Sequence, residues 1–127
     1  MPKNAEHYEQ KALFLWAEYQ AKNTPELSLL FSIPNGGQRN IIIARKLKDE
    51  GVKAGVPDMY LPVARGSYHG LFIELKSKDG VTSKNQDLWL RRLEEQGYMA
   101  QVCYGWQEAK EEIEKYLALK LAGDHHG

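Results

Sequence analysis

Asp58, closing the phrase Gly55-Val56-Pro57-Asp58, and Glu74 and Lys76, within Ile73-Glu74-Leu75-Lys76, are the residues of this sequence whose types and spacing suit chemistry. Side chains alternate faces along a strand, so Glu74 and Lys76 project together, Phe72 shares their face, and Ile73 and Leu75 enter the opposite layer. Fifteen residues separate Asp58 from Glu74, enough for a hairpin whose antiparallel pairing would set the two carboxylates side by side. Flanked by apolar runs, such a pair is costly unless a cation joins it. A hard divalent ion, Mg2+ (or Mn2+), suits the pair, because its preferred ligands are oxygens and it keeps several waters. An ion so held makes a water more acidic and stabilises the charge that builds on a phosphate under in-line attack. Lys76 would orient or deprotonate that water, or neutralise the phosphate, and a third carboxylate, from Glu6 or Glu9, would complete the coordination. The natural outcome is hydrolysis of a phosphodiester. Either signal alone is weak, since a proline-aspartate pair is usually a turn and a lone Glu-x-Lys usually a solvated strand face. Their coupling carries the expectation.

The elements that must position these groups follow from periodicity. Glu6, Glu9, Gln10, Leu13 and Ala17 recur at helical spacing through residues 5–21, which predicts a helix with two carboxylates near its start. Ser28 to Asn35 reads as a short buried strand stopped by Pro34, with Asn35-Gly36-Gly37 as the turn. A second helix is expected over Gln38 to Glu50, with Ile43, Ala44 and Leu47 on its apolar side and Gly51 at its C-terminal cap. Asp58 to Val63 and Gly70 to Lys76 read as neighbouring antiparallel strands. Lys84 to Gln96 reads as a helix ended by Gly97, Tyr98 to Tyr104 as a fourth strand, and Trp106 to about Leu121 as the last helix. The order α-β-α-β-β-α-β-α describes an α/β fold, a mixed sheet of about four strands flanked by helices. Trp16, Trp89 and Trp106 fall at apolar helical positions and are expected to pack in the core or an interface. Tyr60, Tyr68 and His69 lie near the hairpin, where they could line the site.

Length and composition bound the function class. The 127 residues are expected to form one domain, 1–127, with the last few (about 122–127, including His125 and His126) as a disordered end. A single cysteine, Cys103, makes neither an internal disulfide nor a cysteine-rich metal site, and points to a reducing, cytoplasmic compartment. No apolar run approaches the roughly 18 residues of a membrane span, and the start lacks the apolar core of an export signal. Lys+Arg and Asp+Glu balance at 17 each, which speaks against a general polyanion-coating protein. The balance is uneven along the chain, however, because residues 36–92 carry 11 basic against 6 acidic side chains while residues 93–127 carry 3 against 7. An anionic partner should meet the middle of the chain.

Taken together, the helix EHYEQKALFLWA, the turn PNGGQR, the run LKDEGVKAGVPDMYLPV, the strand GLFIELK and the helix opening Ser83 to Gln86 resemble the VRR-Nuc family of the PD-(D/E)xK nuclease superfamily, in its small stand-alone phage or bacterial form. The matching stretch runs from about Glu6 to Tyr104. The resemblance implies a restriction-endonuclease-like fold and a Mg2+- or Mn2+-dependent endodeoxyribonuclease. It implies that Asp58 and Glu74 are metal-binding carboxylates, Lys76 the catalytic lysine and Gln86 the glutamine that approaches the lysine or the metal water. It adds the backbone carbonyl of Leu75 as a further ligand and, of the first-helix glutamates, favours Glu6, with Glu9 a close second.

Other polar features suit contact with DNA. Asn35, Gly36, Gly37, Gln38 and Arg39 form a loop opening a helix, where free N–H groups meet a phosphate and Arg39 holds another phosphate oxygen. Lys53, with Arg45, Lys46 and Lys48, enlarges the positive field, while Lys78 and Lys84 flank the loop after the active strand. A chain of this size is too small to encircle a duplex, so two-strand cutting calls for a homodimer with two sites about a two-fold axis. The resemblance points the same way, to structure-selective nucleases similar to Holliday-junction resolvases in a bacterial or phage-infected cell. A flap-cutting, nicking or restriction-like nuclease and a non-catalytic DNA-binding subunit of a replication or repair complex are the alternatives.

Overall fold

A computed structural model describes residues 5–34 and 40–121. The first helix, α1 (Ala5–Gln20), leads into a 3-10 turn (Pro25–Leu29) and the short strand β1 (Phe31–Ser32). There follow α2 (Ile41–Asp49), β2 (Met59–Leu61), β3 (Leu71–Lys76), α3 (Lys84–Glu95), β4 (Met99–Tyr104) and α4 (Trp106–Leu117). Residues 1–4, 35–39, where a turn is expected, and 122–127, where a disordered end is expected, lie outside the described residues.

The four strands form one open sheet in the order β1-β2-β3-β4. The pairs β1/β2 and β2/β3 are antiparallel, and β3/β4 is parallel across the α3 crossover. This is the expected mixed α/β sheet. Its apolar face takes every second residue: Met59, Leu61, Leu71, Ile73 and Leu75 are all buried, and α1 and α4 cover them with Leu13, Ala17, Ala109, Ile113 and Tyr116. Burying each Leu or Ile of this layer contributes roughly 1.5–3 kcal/mol, which fixes the strand register that the site depends on.

Strand β2 is shorter than expected, Met59–Leu61 rather than Asp58 to Val63, and three other elements depart further from the sequence expectation. The first strand is neither long nor buried. Pro25, preset for a helical turn, starts the 3-10 segment that absorbs Ser28 and Leu29, and the remaining Phe31–Ser32 is an exposed sheet edge. The second helix begins at Ile41 rather than Gln38, because the Asn40 side chain accepts the Ile43 N–H at 2.9 Å and caps it. Its expected apolar side is partly covered, with Ala44 and Leu47 half-buried and Ile43 exposed, while Ile41 and Ile42 are about three-quarters exposed and no residue of the helix is fully buried. The last helix stops at Leu117 because the following backbone turns to pair elsewhere: Gly66 N–H donates to the Lys120 carbonyl, and Leu121 bridges to Arg65.

Candidate active site

The β2/β3 register pairs Met59 with Ile73 and Tyr60 with Phe72, so the next rung outward sets Asp58 opposite Glu74. Strand β2 has ended there, and the Asp58 side chain takes over the ladder. Its Oδ2 accepts the Leu75 N–H at 2.7 Å. In an extended strand a residue's carbonyl faces the same neighbour as its own N–H, so the Leu75 carbonyl also turns toward this end of β2. Glu74 is 2% exposed and Lys76 8%, and the Lys76 Nζ lies 3.6 Å from Glu74 Oε2. The same Oε2 accepts from Gln86 Nε2 at 3.0 Å.

Helix α3 delivers that glutamine by a capping box. Ser83 Oγ accepts the Gln86 N–H at 3.1 Å, and Gln86 Oε1 accepts the Ser83 N–H at 2.8 Å. The amide oxygen is thereby committed to the helix end, which aims the NH2 at Glu74. Glu6, at the start of α1, joins Asp58, Glu74, Lys76 and Gln86 in lining a cavity of about 570 Å3. Gly55 forms part of its wall. It adopts a left-handed φ of +94° and approaches the backbone of Asn85 so closely that a Cβ would sit 2.8 Å away, so this close packing of the 54–55 loop on α3 requires glycine.

Among the described residues Glu74 Oε1 is buried and accepts no hydrogen bond, and the Asp58 carboxyl is near enough to share a proton with Glu74. Burial, followed by the neighbouring Asp58 carboxylate, pushes the Glu74 carboxyl up from its ordinary 4.5 to about 8, against the pull of Lys76. Burial likewise raises Asp58, offset in part by the Leu75 N–H, and Glu6 adds to the rise. Two carboxyls held this way have an affinity for positive charge that Lys76 alone does not satisfy. No three Asp, Glu, His or Cys side chains converge as a metal cluster among the described residues. A hard cation here would therefore draw on two carboxylates together with donors such as the Leu75 carbonyl and water, a set typical of Mg2+. The buried Cys103 thiol, pushed up to about 12 chiefly by burial, is no competing nucleophile.

Comparison with known proteins identifies the family. The model of the VRR-NUC domain family matches residues 3–107. The chain belongs to the VRR-NUC family. A solved structure described as "VRR_NUC domain protein" is 30% identical to it, superposes with a TM-score of 0.81, and the match covers 95% of this chain and 94% of that one. No curated protein matches the chain. This VRR-NUC domain is thus nuclease-type, with DNA as its class of substrate. None of its described helices is long and apolar enough to cross a membrane.

The other candidate residues of the VRR-NUC domain are dispersed. Glu9 is turned away from the cavity toward the start of α4, where its Oε1 accepts the Trp106 N–H at 3.4 Å. It occupies a place where Gly105, the residue before the helix, has no side chain to offer. Lys53 lines a second cavity beside the first, and Lys78 and Lys84 are exposed just beyond β3 and at the start of α3. Asn35, Gly36, Gly37 and Arg39 lie outside the described residues. The hairpin aromatics do not line the cavity. Tyr60 stacks on Phe72 with ring centroids 4.1 Å apart and His69 packs edge-on to Tyr98, while Tyr68 leans on Tyr116. Sequence reasoning passed over Ser83 as a positioning residue, Asn85 and Gly55. The spacing Ser83-x-x-Gln86 was the available signal for the first.

Proposed function

We propose that this protein is a Mg2+- or Mn2+-dependent, structure-selective endodeoxyribonuclease that works as a homodimer on branched DNA, in the manner of a Holliday-junction resolvase. The observation that carries the metal-dependent chemistry is the buried Glu74 Oε1, which accepts no hydrogen bond among the described residues, beside Asp58 and Lys76. Family membership supports the nuclease reading. The preference for branches and the pairing of two chains rest on the family resemblance and on the small size of the domain.

Asp58, Glu74 and the Leu75 carbonyl would hold the cation, with Glu6 on the wall of the same cavity as an outer carboxylate. Bound there, a divalent ion supplies positive charge that acidifies water and stabilises the phosphate as it is attacked. The residues of the chain do the rest. Asp58 is oriented by the Leu75 N–H, which leaves its second oxygen for the ligand. Gln86 fixes one oxygen of Glu74 and leaves the other bare. Lys76, close to Glu74 and itself nearly buried, directs its ammonium at the attacking water or the phosphate oxygens, where charge grows in the transition state. Lys53, Lys78, Lys84 and residues 35–39 would contact flanking phosphates.

Labelled four-way junction, flap and plain duplex, incubated with Mg2+ or Mn2+ beside an Asp58→Ala variant, test this reading. Symmetric cuts in the junction, absent in the variant, are expected. Cutting of flaps or duplex instead would discard the junction preference, and binding without cutting would discard the enzyme. The two first-helix glutamates separate in the same assay. Glu6→Ala is expected to slow cleavage, while Glu9→Ala chiefly lowers stability, by about 0.5–1 kcal/mol, through loss of its contact at the start of α4. Thermal unfolding and cleavage of both variants side by side check this. A larger cleavage defect in Glu9→Ala would exchange the two roles.

A further inference from the structure

Beside the catalytic cavity lies a second of about 530 Å3, and Ala44, Ala54 and Asn85 line both. Its floor is not acidic. Trp89, Leu47 and Val52, all half-buried, supply an aromatic and aliphatic wall, and Lys48 and Lys53, both exposed, complete the lining. Trp16 and Trp106 pack against the hydrophobic core, whereas Trp89 sits in this wall.

Helix geometry ties the indole to the chemistry. Trp89 follows Gln86 by three residues and Asn85 by four, so it shares their side of α3 about one turn on, roughly 5.4 Å along the axis. That is one to two steps along a nucleic-acid strand, whose bases rise about 3.4 Å each. Gly55, packed against the Asn85 backbone, holds the 54–55 loop on α3, and Ala54 and Asn85 line both cavities.

We infer that the second cavity receives an unpaired nucleotide of the strand being cut, adjacent to the scissile phosphate, with its base against Trp89 and its phosphate beside Lys48 and Lys53. This rests on the nuclease reading above and names the structural feature the enzyme selects. An indole stacks on any base, the lysines complement the backbone charge, and Asn85, a residue able to hydrogen-bond a base edge, is part of the lining. A concave site accepts a base only out of its pair. A nucleotide already unpaired at a branch or flap avoids the unstacking cost that intact duplex would bear.

The test is fluorescence anisotropy with Ca2+ in place of Mg2+, using a fluorescein-labelled duplex, the same duplex with one splayed single-stranded arm, and that splayed DNA with an abasic nucleotide at the fork. Wild-type protein is expected to bind the splayed DNA at least 5-fold more tightly than the duplex and to lose that margin on the abasic form. Trp89→Ala should lose the same margin while binding duplex as wild type does, and Trp89→Phe should keep most of it. The abasic comparison needs no altered protein, so it stands even if Trp89→Ala folds poorly. Equal binding of intact and abasic splayed DNA, or an unchanged margin in a folded Trp89→Ala variant, would overturn the inference and leave the nuclease reading standing. Failure of wild type to bind any of the three DNAs would overturn both.

Discussion

Glu74→Gln is expected to stabilise the metal-free protein at pH 9 and at the same time abolish nucleolytic turnover. The two effects have opposite signs because the same carboxylate that suits a cation is a buried, repelled charge without one. The folded state holds the Glu74 proton more tightly than the unfolded chain, the carboxyl being raised from 4.5 to about 8. Its contribution to stability is therefore complete below pH 4.5 and is lost as pH rises through about 8. Wild-type protein in EDTA should lose stability across that window, and the variant should show a flatter profile. The gain at pH 9 is expected to be on the order of 1–3 kcal/mol. Glutamine keeps the shape and still accepts from Gln86, so folding should not suffer. Thermal unfolding in EDTA from pH 5 to pH 9 reads the first effect and a cleavage assay the second. A variant less stable than wild type at pH 9 would contradict the strained pair.

Lys76→Met is expected to reduce cleavage by at least about 10²-fold while leaving DNA affinity within about 2-fold. The methionine fills the same nearly buried channel beside Glu74, so the loss isolates the ammonium rather than the packing. An interaction made only as charge grows on the phosphate lowers turnover and spares ground-state binding. Single-turnover cleavage and a binding titration with the same DNA measure the two quantities. A parallel loss of both would make Lys76 a substrate-binding residue, and normal turnover would remove it from the site.

The core of the site was legible in the sequence because strand geometry is local. Alternation along Ile73-Glu74-Leu75-Lys76 and the hairpin length between Asp58 and Glu74 lead directly to the observed rung, with Ile73 and Leu75 buried on the other face. What the sequence left open depends on how helices approach one another's ends. Glu6 and Glu9 share one side of α1, and only the packing of α4 against it gives Glu9 an N–H to meet and leaves Glu6 in the cavity. The start of the first strand was misjudged because a run such as Ser28-Leu29-Leu30 suits a buried strand and a 3-10 turn equally, and Pro25 decides. The periodicity that predicts core or interface packing for Trp89 reports a side of α3, and the structure shows the residue half-buried in the wall of a cavity.

Calorimetric titration of the protein with Mn2+ at pH 7 and pH 9, each in two buffers of different ionisation enthalpy, tests most directly whether Asp58 and Glu74 form a cation site. Because burial and Asp58 keep Glu74 protonated near neutrality, binding at pH 7 should release close to one proton per site, and the release should fade toward pH 9. Asp58→Ala should bind weakly or not at all. Mn2+ binding without proton release at pH 7, or undiminished binding by the Asp58→Ala variant, would place the metal elsewhere and contradict the site.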